Sequence, residues 1–340
     1  MRALLAYLPP SQTRALAVTS AVLSGVSATG SLFVVISLQC FAPLRQSPSS
    51  QLVMWLAVSD VLYGVFAMLL SHPADVDGAI AKDATGTALC QFQAIGTQLF
   101  SLTSFLWTVA IAHTLHGAVI KRDVNHLETW LGRYHRMIWG VSAVSAVIPL
   151  FGNDYGPTGG GFCWIKNDRT VGKVLRALCF YLPLWFSIGY NSYAMWQVTS
   201  VITRALRLAV EVEVAEDEEE DGLELGDGDG GGAEMRLRNL KSMRRLGTFP
   251  LILVGCWFFA TVNRVYELFD APPSLLLYVL QVVTSSLMGL LNALVYGMAP
   301  SVRRAWRRAL GRLPVVGPLV DNTGRVPSGD YRAFGDAPGE

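Results

Sequence analysis

Residues 244–269 read RRLGTFPLILVGCWFFATVNRVYELF, and this stretch decides the fold. Two arginines are followed by an apolar run long enough to cross a bilayer, whose hydrocarbon core takes about 20 residues of helix. Near its far end lies the pair Asn263-Arg264. A guanidinium near hydrocarbon costs roughly 2.5–3.5 kcal/mol on insertion scales, so Arg264 is expected to face protein, water or a ligand rather than lipid.

Working outward from this run, at 246–269, six more segments of the same kind appear, at 16–40, 51–70, 90–119, 136–151, 174–202 and 274–299. The fourth is the shortest. Hydrophobic residues make up 51% of the 340 and charged ones only 16%, against roughly 25% charged in a soluble domain; the mean hydropathy is +0.37. The expectation is an all-α membrane protein, a seven-transmembrane-helix bundle over 16–299, set as a multi-pass protein in the plasma membrane. The opening apolar run stops at Pro9-Pro10, short of a secretory signal, so the first span is expected to act as its own insertion signal.

Lysine and arginine are placed unevenly. Arg45 follows the first span, Lys121, Arg122, Arg133 and Arg136 the third, and Arg204, Arg207, Arg236, Arg238, Lys241, Arg244 and Arg245 the fifth. The opposite side carries only Arg2, Arg14, Lys82, Lys166, Arg169 and Lys173. The positive-inside rule then sets the amino terminus outside and the carboxyl terminus in the cytoplasm. Cys90, at the start of the third span, and Cys163, between the fourth and fifth, both fall on the outer, oxidising side and are the expected disulfide.

Residues 1–15 form a short extracellular amino terminus, too small for a ligand-binding domain, so any ligand is expected to enter the bundle. Residues 208–240 form a cytoplasmic loop, acidic and then Gly-rich, of a composition that buries too little apolar surface to fold, and are expected to be disordered. Over 300–313, Val302, Ala305, Trp306, Ala309, Leu310 and Leu313 recur at helical spacing with five arginines on the other face. That pattern predicts an amphipathic helix on the inner leaflet, with membrane lipid as its partner. The tail 314–340 is expected to be disordered.

Polar groups at membrane depth are the candidate functional residues, because each must find a partner. Asp60 in the second span and Asn292 in the seventh, with Tyr296 one turn on, are read either as a network that rearranges when the bundle switches or as a static clamp. Trp257, otherwise core, is counted with them. Arg264 and Asn263 sit toward the outer mouth, where Glu267 offers Arg264 a local ion-pair partner. Arg176, Lys173 and Lys166 add positive charge around the same mouth. Together they form a candidate site for an anionic small molecule, since guanidinium suits phosphate or carboxylate. His113 and His116 share one helical face without a third metal ligand. No HExxH, GxSxG or phosphate loop occurs, so no enzyme is expected, and no cofactor or metal. There is no lysine after Lys241 for a retinal Schiff base. The net charge of +1 gives no reason to expect nucleic acid.

Several stretches resemble the slime-mould cyclic AMP receptors and their protist and plant relatives, a branch of the G-protein-coupled receptors. They are VMWLAVSDVLYG, LCQFQAIGTQLFSLTSFLWTVAIAH, GFCWI, FYLPLWFSIGYN, FPLILVGCWFFATVNRVYEL and GLLNALVYG, in the same order along the bundle. The resemblance implies a seven-helix receptor with a Cys90–Cys163 link, a pocket open to the outside and coupling to a heterotrimeric G protein. His113, Arg204, Arg244 and Arg245 would line the inner cleft. Cyclic AMP as the ligand is a family-level expectation. The chain lacks Asp-Arg-Tyr at the end of the third span and proline soon after Trp257 or Asn292, so the rhodopsin-type switch residues do not carry over. A transporter or channel, or a seven-helix scaffold without a ligand, is the alternative reading.

Overall fold

The computed structural model describes residues 9–45, 48–68, 84–123, 126–158, 162–166, 169–220, 248–268 and 274–311. In chain order the helices are α1 (Pro10–Cys40), the short α2 (Ala42–Arg45), α3 (Pro48–Met68), α4 (Ala84–Ile120) and α5 (His126–Phe151). Two strands follow, β1 (Tyr155–Pro157) and β2 (Cys163–Ile165). The fifth span begins as α6 (Thr170–Arg176), passes through a π-helical turn (Ala177–Tyr181) and continues as α7 (Leu182–Glu220). The sixth is α8 (Thr248–Leu268), and the seventh is split into α9 (Leu275–Ser286) and α10 (Met288–Gly297). All seven expected spans are thus helical. Six of them are apolar and long enough to cross a membrane; α5 has the length, 26 residues, with Arg133, His135 and Arg136 making its first half polar.

The third span is the hub. Its most apolar window is 67% buried, against 39–44% in the other spans, and α4 touches α3, α5, α7, α8 and both strands. Spans that show half their surface to lipid need only one apolar stripe against the bundle, whereas α4 is packed all round. Its buried Leu102, Phe105 and Trp107 supply the bulk.

The first two spans approach through small residues. A Cβ on Gly64 of α3 would lie 2.8 Å from Ala28 Cβ and 2.9 Å from the Ser24 carbonyl oxygen, so the backbones of α1 and α3 meet where a side chain cannot fit. Gly64→Leu is therefore expected to push the two helices apart and destabilise the bundle by about 1–3 kcal/mol. A loss of apparent melting temperature in purified protein, absent in an exposed-face control such as Val65→Leu, would report it.

The fifth span shows how a proline is accommodated. Pro183 has no N–H to give the Cys179 carbonyl four residues back. That carbonyl instead accepts from Ser145 Oγ at 2.7 Å and Gln98 Nε2 at 3.0 Å, while Leu182 N–H reaches back to Ala177 O in the π pattern. The seventh span breaks at Leu287 (φ −85°, ψ −3°). The hydroxyls of Thr284 and Ser285 there bond back onto the carbonyls of Leu280 and Gln281, and Gly289 follows; such back-bonding and Ser/Gly pairs bend helices.

One expected boundary moves. The fifth helix runs to Glu220, beyond the expected start of the loop at 208, because no glycine or proline interrupts it before Gly222 and Ala, Leu and Glu favour helix. The rest of that acidic segment, residues 1–8 and the tail 312–340 lie outside the described residues. The amphipathic segment forms α11 (Pro300–Leu310) in a second compact unit that begins at Gly297. Pro300 starts it where a missing N–H costs nothing, and Arg303, Arg304, Arg307 and Arg308 are exposed.

Candidate functional site

A disulfide joins Cys90 at the head of α4 to Cys163 of β2, the pair expected from the sequence. It ties an antiparallel two-stranded ribbon, with Gly156 opposite Trp164 and Pro157 opposite Cys163, across the end of the bundle. The Cys163 N–H points out of the ribbon to Gln93 Oε1 of α4 at 3.0 Å, and the Lys166 N–H donates to the Asp154 carbonyl at 2.7 Å.

Beneath the ribbon lies a cavity of about 70 Å³. One side is aromatic: Trp164 of β2, Phe180 and Tyr181 of the π turn, and Trp257 of α8. These rings brace one another, with Trp164 and Phe180 centroids 4.9 Å apart and Phe180 and Trp257 5.3 Å apart, the spacing aromatic pairs prefer. Trp164 is further fixed because its Nε1–H donates to Gln98 Oε1 at 2.8 Å and the Arg176 guanidinium lies over its ring at 4.9 Å. The other side is polar, with Gln93, Thr97 and Ser101 of α4 facing Gln281, Ser285 and Ser286 of α9. Among the described residues, none of the side chains that line the cavity is charged.

The basic residues expected at the mouth take other positions. Arg176 is buried and its Nε–H donates to the Ile165 carbonyl, so it anchors the ribbon and orients Trp164. Lys173 is exposed on α6, and the Lys166 side chain lies against Gly156. Arg264 stands one layer behind the cavity wall, its Nη2 donating to Gln281 Oε1 at 3.5 Å, beside the shorter bond from Asn263 Nδ2 at 2.7 Å. The Glu267 side chain is outside the described ones. Asn263 and Arg264 therefore meet the cavity through Gln281.

Deeper in the bundle Asp60 joins three spans. Its Oδ1 accepts from Ser104 Oγ of α4 at 2.6 Å and its Oδ2 from Asn292 Nδ2 of α10 at 2.8 Å. The sequence paired Asp60 with Asn292; Ser104 completes the trio. Gly289 lets the first span close on it, since a Cβ there would lie 2.5 Å from Ser31 Oγ and 3.1 Å from Asp60 Cβ. Tyr296 makes no hydrogen bond to the trio among the described residues. Trp257 reaches this region differently: its indole N–H points to Met288 Sδ at 3.4 Å, at the break in the seventh span.

At the far end His113 Nδ1 is 2.6 Å from Tyr134 OH of α5, with Trp130 against its ring, and His116 Nε2 is 2.7 Å from Gln197 Oε1 of α7. His113 thus joins the third and fourth spans. Arg204 is exposed on α7; Arg244 and Arg245 lie outside the described residues.

Gln93, Gln281 and the serines of the cavity were passed over in the sequence, although the signal is present. Gln93, Thr97, Ser101 and Ser104 recur at helical spacing in an apolar helix, the same polar-at-depth cue that singled out Asp60.

Residues 12–217 match the family model described as slime mold cyclic AMP receptor. The chain is 36% identical over 285 residues to "G-protein coupled receptor 1" of Arabidopsis thaliana, covering 83% of this chain and 77% of that one. It is 22% identical over 277 residues to "Cyclic AMP receptor-like protein A" of Dictyostelium discoideum, 81% of this chain and 62% of that one, and 27% identical over 193 residues to "Ascaroside receptor GPR2" of Arthrobotrys oligospora, 55% and 44%. Among solved structures, squid rhodopsin shares the fold with a TM-score of 0.66 at 14% identity, covering 95% of each chain.

Proposed function

The chain belongs to the slime mold cyclic AMP receptor family, and from that premise we propose that it is a plasma-membrane receptor that passes the binding of an extracellular small molecule to a heterotrimeric G protein. The observation that carries this reading is the double role of Trp257. It lines the cavity and its indole N–H meets Met288 at the break in the seventh span, one turn from the Asn292 that bonds Asp60. A molecule that presses on Trp257 would bias the break, and with it the trio, toward one of two bundle arrangements, which is the form a population shift takes. The ribbon end would face outside, and the end that carries Arg204 would meet the G protein. The arginines of α11 suit anionic lipid.

Relatives named for cyclic AMP and for ascaroside belong to the same group of matches, so the ligand has to be read from the cavity. Nucleotide exchange on a purified heterotrimeric G protein, with receptor in nanodiscs and a small-molecule library that includes cyclic nucleotides, is expected to accelerate at least tenfold with an agonist. Solute-dependent flux in proteoliposomes without any exchange would replace the receptor reading by a transporter.

A further inference from the structure

We infer that the cavity under the ribbon recognises an uncharged, planar heterocycle that offers both hydrogen-bond acceptors and a donor, such as a lactam or carboxamide-bearing ring, rather than an anion. The inference rests on the receptor reading only in taking this cavity as the ligand site.

Gln93 carries the argument. It is 1% exposed and lines the cavity; its Oε1 is taken by the Cys163 N–H, and its Nε2 has no hydrogen-bond partner among the described residues. A buried amide donor left unpaired is destabilising, a penalty that an acceptor arriving in the cavity removes. Gln281, across the cavity on α9, is oriented the same way. Its Oε1 is held by Asn263 and Arg264, so the NH2 is the end of that amide left to present. The two glutamines thus supply donors from facing helices.

The hydroxyls supply the converse. Thr97 donates to the Gln93 carbonyl, Ser101 to the Thr97 carbonyl and Ser285 to the Gln281 carbonyl. With their protons on their own helices, these oxygens turn lone pairs toward an incoming group. The cavity therefore offers both donors and acceptors, and the rings of Trp164, Phe180 and Trp257 provide flat apolar area. A carboxylate or phosphate would satisfy the donors, but no charged lining side chain among the described residues offsets its desolvation. Arg264 acts through Gln281, where it polarises the amide and strengthens its N–H donors.

The test uses purified receptor in nanodiscs and a fragment panel in matched pairs: nicotinamide with nicotinate, indole-3-carboxamide with indole-3-carboxylate, and isoquinolin-1-one with isoquinoline-1-carboxylate. Binding is read by ligand-observed NMR and thermal shift. The uncharged members are expected to bind at least tenfold more tightly than their anions. Gln93→Glu keeps the oxygen that holds Cys163 and replaces the NH2 by a second acceptor; it is expected to weaken uncharged fragments at least tenfold and, because the new carboxyl is buried without a charged partner, to lower the melting temperature. Gln93→Met is a second variant, without the added charge. Arg264→Gln is expected to change their binding less than threefold. Tighter binding of the anions, with a tenfold loss in Arg264→Gln, overturns the inference, as does binding indifferent to both Gln93 variants or no binding by any pair up to millimolar concentration. Should the uncharged fragments bind as expected while no compound ever drives nucleotide exchange, the ligand class stands and the receptor reading falls.

Discussion

Receptor carrying Cys163→Ser is expected to reach the cell surface poorly and to lose response to any agonist. The link closes a loop with a sequence separation of 73 residues, and removing such a constraint from the unfolded chain typically costs about 2–4 kcal/mol. The effect extends beyond stability because the ribbon is part of the cavity wall. Trp164 lies next to Cys163 in β2, and the Cys163 N–H is the group that fixes Gln93. Loss of the link frees both at once. Surface labelling against total protein measures the first effect; fragment binding to the fraction that survives purification measures the second. Cys90→Ser should reproduce both, and the double variant should be no worse than either single one, since each already removes the same bond. Two singles that add would mean that each cysteine acts separately.

Much of the architecture was legible because a bilayer leaves few options. Each span must satisfy its own backbone, so length and hydropathy identify it, and Cys90 and Cys163 were readable once the spans placed them on one side. The helix-forming run to Glu220 and the break at Leu287 were not, because composition suggested disorder in the first case and the second depends on where Thr284 and Ser285 turn their hydroxyls. The site was legible in its depth and not in its lining. Arg264 and Arg176 drew attention by charge, but charge marks where a partner is needed and does not say which one: Arg176 found the Ile165 carbonyl and the Trp164 ring, and Arg264 the back of Gln281. Ser104 was missed because a hydroxyl in a helix can satisfy itself on its own backbone, and only the packed bundle shows that it turns to Asp60 instead.

Asp60 supports the last prediction, in which stability and signalling part company. Asp60→Ala removes the acceptor of both Ser104 and Asn292 and leaves two buried donors unpaired, each worth about 1–3 kcal/mol by general reckoning but closer to about 0.6 kcal/mol between membrane helices. A loss of about 1 kcal/mol is therefore expected, visible as a lower melting temperature. Asp60→Asn behaves differently. Its carbonyl oxygen can still accept from Asn292, and its NH2 can donate to Ser104 Oγ, which is free to turn its own proton away. Both links survive in shape, so its melting temperature should stay near that of the wild type. What changes is the carboxyl group that ties the three spans together, one turn beyond the break in the seventh. If the trio rearranges during activation, the neutral amide alters the balance between arrangements, and agonist-driven nucleotide exchange is expected to change at least tenfold while the melting temperature hardly moves. If exchange by Asp60→Asn matches the wild type, the trio is a static clamp, and the link from Trp257 through Met288 must reach the cytoplasmic end by another route.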